Sequence, residues 1–524
     1  MMREKRNMIL PAVKKEIKKD GVCRLPEKIT YSYNEEDPNA KLGAEAFASF
    51  TEGTYASEKA FVSFEYDESL EGREEIYRAA VSESGIHIGF RDARGAVNGA
   101  ATAALLLRKR MVEQCEITDY PSSSYRSILI DMARGLPREE DIVSAIKYMA
   151  LAKYNRLHLH LADPKGLCYI SDALPEYTFK GEACDKELLL KIKELCRSYA
   201  IEIIPEIEAP AHATALCAAH PEFKCSVENA QGWALCPAKD GVRDFFEKLI
   251  KEVAELFPES EYIHIGSDEL EFRDIAVPRF CHWEECPDCK ALREREGLAD
   301  IREEFYYLIE KLHGIVKANG KKMMMWNDQI DVSRDVPISR DILIEFWRIA
   351  CKGRGPYEGC SFEKLLEKGF KVVNAYYHYT YFDIEKYLSA EKLKTWTPLG
   401  EEYSEQIIGG EACAWEFGNY ETYPFYDCVT PPVVALFGDK LWGHGEREHT
   451  DEYKAALAEF IFGLGEFTEV FEYIGGLIPP REKDKYTYAD TEKLSRRKIL
   501  DCAERLDKNS DYASKKYAAL LRKI

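Results

Sequence analysis

Eight short apolar runs of strand-like composition recur along this 524-residue chain, and they constrain its fold more than any other feature. In chain order they are Ser127–Met132, Arg156–Leu161, Ile201–Ile207, Tyr262–Ile265, Lys322–Trp326, Ile342–Phe346, Lys371–Ala375 and Ile407–Gly410. Between them lie stretches with the apolar spacing of helices, at Glu139–Ala152, Lys186–Tyr199, Val242–Leu256 and Ile301–Ala318. This alternation predicts an α/β fold, a parallel (β/α)8 barrel of the TIM type, rather than an open doubly wound sheet.

The regions on either side of these runs have a different pattern. Strand-like segments at Ala60–Glu65 and Gly85–Gly89 precede an alanine-rich helical stretch, Ala96–Arg110. The segment Thr491–Ile524 has apolar residues at helical spacing, and we expect it either to pack on the barrel or to form a homo-oligomer contact. We therefore predict a small N-terminal α+β domain at residues 1–120, the barrel at 121–445 and a C-terminal helical extension at 446–524.

The charge of the chain limits its partners. With 72 basic and 92 acidic residues the formal net charge is −20, so nucleic acid and anionic membranes would be repelled. A neutral substrate such as a sugar fits better. The N-terminus is basic but has no apolar signal-peptide core, and no run approaches a membrane span in length. From these features we expect a cytoplasmic protein.

Polar and aromatic residues follow nearly all of the eight runs. Barrel enzymes place their active sites at the rim where the carboxyl ends of the strands meet, and aromatic faces with carboxylates suit a sugar ring. The candidates in chain order are Arg134, Asp163, Glu206 to His212, Asp268, Glu269, Trp326, Asp328, Trp347, Tyr381, Asp383, Trp415 and Glu416. Any one of them could instead be structural, but their joint occurrence at one rim favours a sugar site.

The adjacent carboxylates Asp268 and Glu269 are the most specific of these candidates. Neighbours on a regular strand point to opposite faces, so both can serve one ligand only if the backbone bends. Gly266 makes such a bend inexpensive. The simpler alternative is a strand followed by an acidic helix N-cap.

Five motifs occur in order along the chain. They are Ile130-Asp-Met-Ala-Arg134, Asn155-Arg-Leu-His-Leu-His-Leu-Ala-Asp163, Ile204-Pro-Glu-Ile-Glu-Ala-Pro-Ala-His212, His264-Ile-Gly-Ser-Asp-Glu269 and Gly409-Gly-Glu-Ala-Cys-Ala-Trp415. In this order they resemble those of glycoside hydrolase family 20, the β-N-acetylhexosaminidases, and the resemblance covers roughly residues 75–420. The resemblance implies exo-acting, retaining hydrolysis of a small glycan with a terminal N-acetylhexosamine. The substrate's own acetamido oxygen would be the nucleophile and an oxazolinium ion the intermediate, so no cofactor is expected.

The resemblance also implies a role for each candidate. Glu269 would be the general acid and Asp268 would orient and stabilise the acetamido group. His212 and Asp163 would support the acid, and Arg134 would hold ring hydroxyls. The remaining substrate contacts would come from Trp326, Trp347, Tyr381, Asp383 and Trp415.

The chain also departs from the family pattern. Pro164 and Leu167 replace an acidic residue and an aromatic in the loop after the second strand, and Ser267 replaces a glycine. The departure that bears on specificity is Phe417, which stands where the family has a glutamate two positions after the last tryptophan. Two explanations are open: Glu416 substitutes for that glutamate, or this subsite recognises another sugar. A related glycosidase with altered sugar specificity and a catalytically silent carbohydrate-binding barrel therefore stay open as alternatives.

The 16 cysteines are scattered along the chain, which suits reduced, buried thiols better than a disulfide framework. One cluster could bind a structural zinc ion after the fourth strand run. Its candidate ligands are Cys281, His282, Cys286 and Cys289. A second Cys-x-x-Cys is missing, so free thiols are the alternative.

Overall fold

The computed structural model of the protein describes most of the chain up to residue 443. The described residues are 8–51, 54–57, 59–108, 112–163, 165–181, 183–270, 281–349, 360–381, 393, 396–398, 405–415, 430–443 and a few positions between 448 and 460. The predicted C-terminal extension at 446–524 therefore lies almost entirely outside the described residues. Across the whole described part of the chain, no helix is long and apolar enough to cross a membrane.

Within the described residues the N-terminal region forms one mixed sheet covered by two helices. The strands are β1 (Lys15–Cys23), β2 (Thr30–Tyr33), β3 (Tyr55–Ala56), β4 (Val62–Tyr66), β5 (Tyr77–Ser82), β6 (Gly85–Phe90) and β7 (Val112–Asp119), in the spatial order β1-β7-β5-β6-β4-β2-β3. Helices α1 (Pro38–Phe50) and α2 (Ala93–Leu107) pack against each other and against the sheet. Asp37 and Asp92 cap them by accepting backbone N–H bonds, which fixes where each helix begins.

Eight parallel strands of the described chain then close into a barrel, which confirms the predicted fold class. They are β8 (Tyr125–Asp131), β9 (Arg156–His160), β12 (Glu202–Glu206), β13 (Tyr262–His264), β14 (Lys322–Trp326), β15 (Leu343–Phe346), β16 (Val372–Asn374) and β17 (Ile407–Ala414). A short hairpin of β10 (Ala162–Asp163) and β11 (Gly166–Leu167) follows β9. The last barrel strand pairs with the first, Gly410 opposite Arg126, so the barrel has no open edge.

The described helices are α3 (Glu139–Leu151), α4 (Lys186–Ser198), α5 (Thr214–Ala219), α6 (Val242–Leu256), α7 (Pro287–Glu296), α8 (Ile301–Ala318), α9 (Phe362–Glu367), α10 (Tyr377–Thr380) and α11 (Thr430–Gly443). Short 3-10 turns occur at Pro175–Tyr177 and Pro221–Phe223. Helix α6 buries Phe246, Leu249, Ile250 and Val253, a spacing that gives one apolar stripe facing the barrel.

Strand β9 shows how the sequence divides the barrel into two layers. Its residues are all buried, yet Leu157 and Leu159 join the large apolar core, while His158 and His160 bond to carboxylates of other barrel strands. Alternate residues of a strand point to opposite faces, so the histidines face the barrel interior and the leucines face the helices. The interior of this barrel is therefore partly charged.

A buried polar cluster joins the N-terminal sheet to the barrel. Lys153, just after α3, places its Nζ 2.9 Å from Asp119 Oδ2 at the end of β7, and both side chains are fully buried. The Tyr77 hydroxyl donates to the same carboxylate oxygen at 2.7 Å, and Trp442 Nε1 of α11 donates at 3.0 Å. A buried pair with further hydrogen bonds offsets much of its own desolvation cost. The sheet and the barrel are thus connected by a specific contact.

Candidate active site

The carboxyl ends of the barrel strands bring the predicted polar residues to one rim. Arg134 follows β8, Asp163 ends β10, His212 follows β12, and Asp268 with Glu269 follows β13. The aromatic candidates end or follow the later strands: Trp326 ends β14, Trp347 follows β15, Tyr381 follows α10 and Trp415 follows β17. Asp383, Glu416 and Phe417 lie outside the described residues.

The backbone bends sharply out of strand β13 to present both carboxylates. Gly266, Ser267 and Glu269 have positive φ angles of 65°, 78° and 52°. A Cβ at Gly266 would meet Glu208 Oε2 at 2.0 Å, so only glycine fits there. The Ser267 hydroxyl donates to the Ala209 carbonyl at 2.7 Å, which helps to hold this strained turn. The bend lets Asp268 and Glu269 serve the same side of the rim.

A chain of charges leads from Arg134 to the two carboxylates. The guanidinium of Arg134 lies 2.8 Å from Asp163 Oδ2, and that oxygen lies 3.3 Å from His212 Nδ1. The other ring nitrogen, Nε2, is 3.6 Å from Asp268 Oδ2 and 3.7 Å from Glu269 Oε2. The imidazole of His212 therefore connects Asp163 with both carboxylates.

The environment separates the proton affinities of the two neighbouring acids. Burial raises the pKa of the Glu269 carboxyl, and the negative charge of Asp268 raises it further. The positive charges of His212 and Arg348 lower this pKa, but the net shift is upward. Burial also raises the pKa of Asp268, but the charge and hydrogen bond of His212 outweigh it, so the net shift is downward. The pKa of His212 lies well above its usual value, since Asp268 and Asp163 overcome the effect of burial. Two carboxyls with opposite shifts are suited to different roles, one protonated and one ionised.

Arg348 and Asp328 lie on the other side of Glu269. Asp328 was among the predicted rim residues, whereas Arg348 was not. The Arg348 guanidinium is 4.0 Å from Glu269 Oε1 and 2.6 Å from Asp328 Oδ2. The backbone N–H of Glu269 donates to that same oxygen of Asp328 at 3.2 Å. Asp328 lies two positions after Trp326 and Arg348 lies one position after Trp347, so both follow strand ends. The strand pattern therefore predicts that both lie at the rim.

Trp233 also contacts the acid, although it lies in a long loop between α5 and α6. Its indole Nε1 donates to the Glu269 carbonyl at 3.0 Å, and its ring centroid is 4.4 Å from that of His212. Sequence reasoning missed it because no strand run precedes it directly. The contact fixes the backbone of the acid and one face of its histidine neighbour.

Aromatic rings form a wall beside the carboxylates. Trp347 and Tyr381 stack with an interplanar angle of 9°, and Trp326 and Tyr381 each lie about 6 Å from Trp415 between ring centroids. The Arg134 guanidinium lies over the Trp415 ring at 5.1 Å, which joins the wall to the charged side. Apolar faces edged by charge suit a ring that carries hydroxyls.

Several buried polar atoms at the rim have no hydrogen-bond partner within the described part of the chain. Asp268 Oδ1 and Trp347 Nε1 are among them. A buried polar atom without a partner costs about 1–3 kcal/mol, so such atoms are expected where a ligand supplies the missing bond. One acceptor and one donor are thus available to a bound molecule.

A charged layer inside the barrel supports the rim. Glu206 accepts a bond from Trp326 Nε1 at 2.6 Å and bonds to His160. The other ring nitrogen of His160, Nε2, lies 3.0 Å from Asp163 Oδ2. Asp163 therefore contacts Arg134, His160 and His212 together, and the pKa of its carboxyl is held far below the usual range by these groups in spite of burial. Such outer contacts fix the orientation of the groups that face a ligand.

The cysteine candidates need a correction. Cys286 and Cys289 converge with Cys225 and Cys236, whereas Cys281 and His282 are not part of that group. His282 instead accepts a backbone bond from Gln231 at 3.3 Å through Nε2. The ligand set inferred from sequence was confined to nine consecutive residues, and folding brings two of the four sulfurs from a separate loop. All cysteines in the described residues are free of disulfide bonds.

Comparison with known proteins identifies related sequences. Residues 123–443 match the family described as glycosyl hydrolase family 20, catalytic domain. The chain is 30% identical over 282 residues to a β-hexosaminidase of Akkermansia muciniphila, covering 48% of this chain and 55% of that protein. It is 29% identical over 418 residues to a β-hexosaminidase of Vibrio furnissii, covering 68% and 63%. In both cases the chain spans less than two thirds of the relative.

A solved structure shares the fold. The exo β-N-acetylglucosaminidase of Vibrio harveyi, in complex with N-acetylglucosamine, superposes with a TM-score of 0.72 at 22% identity. The superposition covers 91% of this chain and 78% of that one. At this identity the likeness shows a common architecture.

Proposed function

Because the chain belongs to glycosyl hydrolase family 20, we propose that it is an exo-acting, retaining β-N-acetylhexosaminidase that uses the substrate's own acetamido group as nucleophile. The observation that carries this proposal is the pair of adjacent acids with opposite pKa shifts, Glu269 upward and Asp268 downward, around one histidine. Relatives named β-hexosaminidase support the same reaction class.

In the first step Glu269 donates its proton to the glycosidic oxygen while the acetamido carbonyl oxygen attacks the anomeric carbon. The bond to the leaving group breaks and an oxazolinium ion forms. Asp268 stays ionised, accepts the acetamido N–H and stabilises the positive charge that develops there. Its Oδ1, which has no partner within the described residues, is an acceptor of the kind this step requires.

In the second step the Glu269 carboxylate takes a proton from water. The water oxygen attacks the anomeric carbon from the face that the leaving group left, the oxazolinium opens, and the β-anomer is released. Two displacements give net retention. His212, held by Asp163, stays protonated beside both acids and limits the repulsion between them when Glu269 is ionised.

The placement of the two acids also disfavours the alternative in which one of them attacks the sugar. Such an enzyme places the acid and the attacking carboxylate on either side of the scissile bond. Here Asp268 and Glu269 are adjacent in the chain, and both approach Nε2 of His212, at 3.6 Å and 3.7 Å. Both acids thus converge on one imidazole instead of facing each other across a bond.

Fluorination of the acetamido group tests the identity of the nucleophile. We expect kcat/KM for nitrophenyl N-acetyl-β-glucosaminides to fall steadily from acetyl to mono-, di- and trifluoroacetyl, because each fluorine withdraws electrons from the attacking carbonyl oxygen. The measurement is nitrophenol release at matched substrate concentrations. A flat series would show that the carbonyl oxygen does not attack, and would favour a nucleophile from the protein.

Removing the charge of Arg348 should move the pH profile. The Arg348 guanidinium lowers the pKa of Glu269, so Arg348→Gln is expected to raise that pKa. The negative charge of Asp328, no longer paired with Arg348, should raise the pKa of Glu269 as well. A general acid works below its pKa, so the alkaline limb of kcat/KM against pH should shift to higher pH.

The matched control is Arg243→Gln, which alters an exposed arginine paired with Glu247 in α6. Its profile should coincide with that of the unmodified protein. If the alkaline limb of the Arg348→Gln profile stays in place or moves to lower pH, Glu269 is not the group that titrates on that limb.

The sugar preference is a further part of the proposal. We expect N-acetylglucosamine and N-acetylgalactosamine to be accepted to different extents, since Phe417 replaces the family's usual glutamate and Glu416 precedes it. The ratio of rates on the two aryl glycosides measures this preference. Turnover of a different sugar at a comparable rate would instead support the altered-specificity alternative.

A further inference from the structure

Four buried cysteine sulfurs converge away from the carboxylates, in loops that follow the third and fourth barrel strands. Cys236 Sγ lies 3.9 Å from Cys286 Sγ and 3.4 Å from Cys289 Sγ. Together with Cys225 Sγ, all four atoms lie within 4.8 Å of one another. We propose that these four cysteines bind a structural zinc ion.

The sulfur separations fit a tetrahedral metal site. With Zn–S bonds of about 2.3 Å, the edges of a regular tetrahedron are about 3.8 Å long. A disulfide requires sulfurs about 2.05 Å apart, well below the separations of Cys236 from Cys286 and Cys289. Tetrahedral sets of four cysteines are typical of structural zinc, and they leave no open position for substrate.

The two halves of the site come from distant parts of the sequence. Cys225 and Cys236 lie in the loop between α5 and α6, while Cys286 directly precedes α7 and Cys289 lies in its first turn. A bound ion would therefore cross-link segments that are 50 residues apart between Cys236 and Cys286.

Other contacts already align the two segments. The indole Nε1 of Trp283 donates to the Leu235 carbonyl at 2.8 Å, next to Cys236. Lys239 Nζ lies 2.5 Å from Asp288 Oδ2, and the Ser226 hydroxyl donates to the same oxygen at 2.6 Å. These bonds flank the sulfurs on both sides. The four thiols are thus held in a preorganised group, which lowers the entropic cost of binding an ion.

The cross-link would also position the catalytic acid. Trp233, three residues before Cys236, donates to the Glu269 carbonyl and packs on His212. The same loop bonds back to the turn after the third strand, through Leu235 N–H to the Pro210 carbonyl at 2.9 Å and Ala213 N–H to the Trp233 carbonyl at 3.0 Å. Zinc is therefore expected to act on the site through Trp233, as a positioning element.

Elemental analysis of the purified full chain, grown with zinc and without a metal-affinity step, tests the proposal directly. We expect about one zinc per chain, with X-ray absorption showing four sulfur neighbours at about 2.3 Å. Titration with a mercurial should release that zinc to a chromogenic chelator. Well under stoichiometric zinc, stoichiometric iron in its place, or disulfides among these four cysteines on peptide mapping would each overturn the assignment.

A matched pair of variants separates the cluster from other thiols nearby. Cys236→Ser should lose most of the zinc and unfold at a lower temperature. Cys281→Ser, in the same region but outside the group, should keep the zinc content and the unfolding temperature of the unmodified protein. Full zinc content in Cys236→Ser would contradict the proposal. If Cys236→Ser does not fold, the absorption and mercurial measurements on the unmodified protein still decide. Metal content is measured without substrate, so this result is independent of the proposed hydrolase activity.

Discussion

Replacing Glu269 with glutamine is expected to reduce kcat/KM on N-acetyl-β-hexosaminides by about 10²–10⁴-fold, the usual contribution of a general acid. Glutamine keeps the size and the backbone position of the side chain, including the bonds of the main chain to Trp233 and Asp328. It cannot deliver the proton that the leaving oxygen needs. The loss should be measured as initial rates of aglycone release.

The dependence on leaving group makes this test specific for an acid. Nitrophenolate departs with little help, so Glu269→Gln should lose less activity on nitrophenyl than on alkyl glycosides. Glu255→Gln, at an exposed position of α6, is the control and should behave as the unmodified protein does. A loss of equal size on all leaving groups would assign Glu269 to binding instead of proton transfer.

Replacing Asp268 with asparagine is the second large effect. We expect a loss of about 10²–10³-fold in kcat, comparable to removing one preorganised electrostatic stabiliser of a charged intermediate. The downward pKa shift of Asp268 keeps it ionised across neutral pH, and the amide removes that charge beside the oxazolinium. The measurement is kcat on the aryl N-acetyl-β-glucosaminide.

Inhibitor binding distinguishes this role from a general structural defect. A thiazoline that mimics the oxazolinium should bind less tightly to Asp268→Asn, since the protonated ring loses its counter-charge. Asp240→Asn, at an exposed position before α6, serves as the control. Unchanged thiazoline affinity in Asp268→Asn would contradict the assigned role even if kcat fell.

Much of the barrel was predictable because its strands and helices carry local signals that agree with their packing. Lys322–Trp326 and the helices Val242–Leu256 and Ile301–Ala318 begin and end where the pattern places them. Buried parallel strands read as continuous apolar runs, and the helices show one apolar stripe. The order of these elements then determines which residues meet at the rim.

The N-terminal sheet was less predictable for a physical reason. Strand β1, Lys15–Cys23, is mostly exposed and rich in charge, and it lies at the edge of the sheet. Charged edge strands protect a sheet from unwanted pairing, and this removes the apolar alternation that reveals a strand in sequence. Its pairing with β7, near residue 115, depends on tertiary contacts alone.

The site residues divide in the same way. Residues that end or directly follow strands, such as Trp326 and Arg134, were found by position, but Trp233 lies in a long loop whose path the sequence does not reveal. The cysteine group shows a similar limit, because Cys225 and Cys236 have ten residues between them and do not form a short motif. Only the fold brings them to Cys286 and Cys289.

The most direct test of the central claim compares nitrophenol release from the aryl N-acetyl-β-glucosaminide and from the corresponding β-glucoside, which lacks the acetamido group. With the acetamido oxygen as nucleophile and Asp268 and Glu269 assisting it, the protein should hydrolyse the first and show no detectable turnover of the second. Comparable rates on both sugars would contradict substrate-assisted catalysis. No turnover of either would favour a barrel that binds carbohydrate without cleaving it.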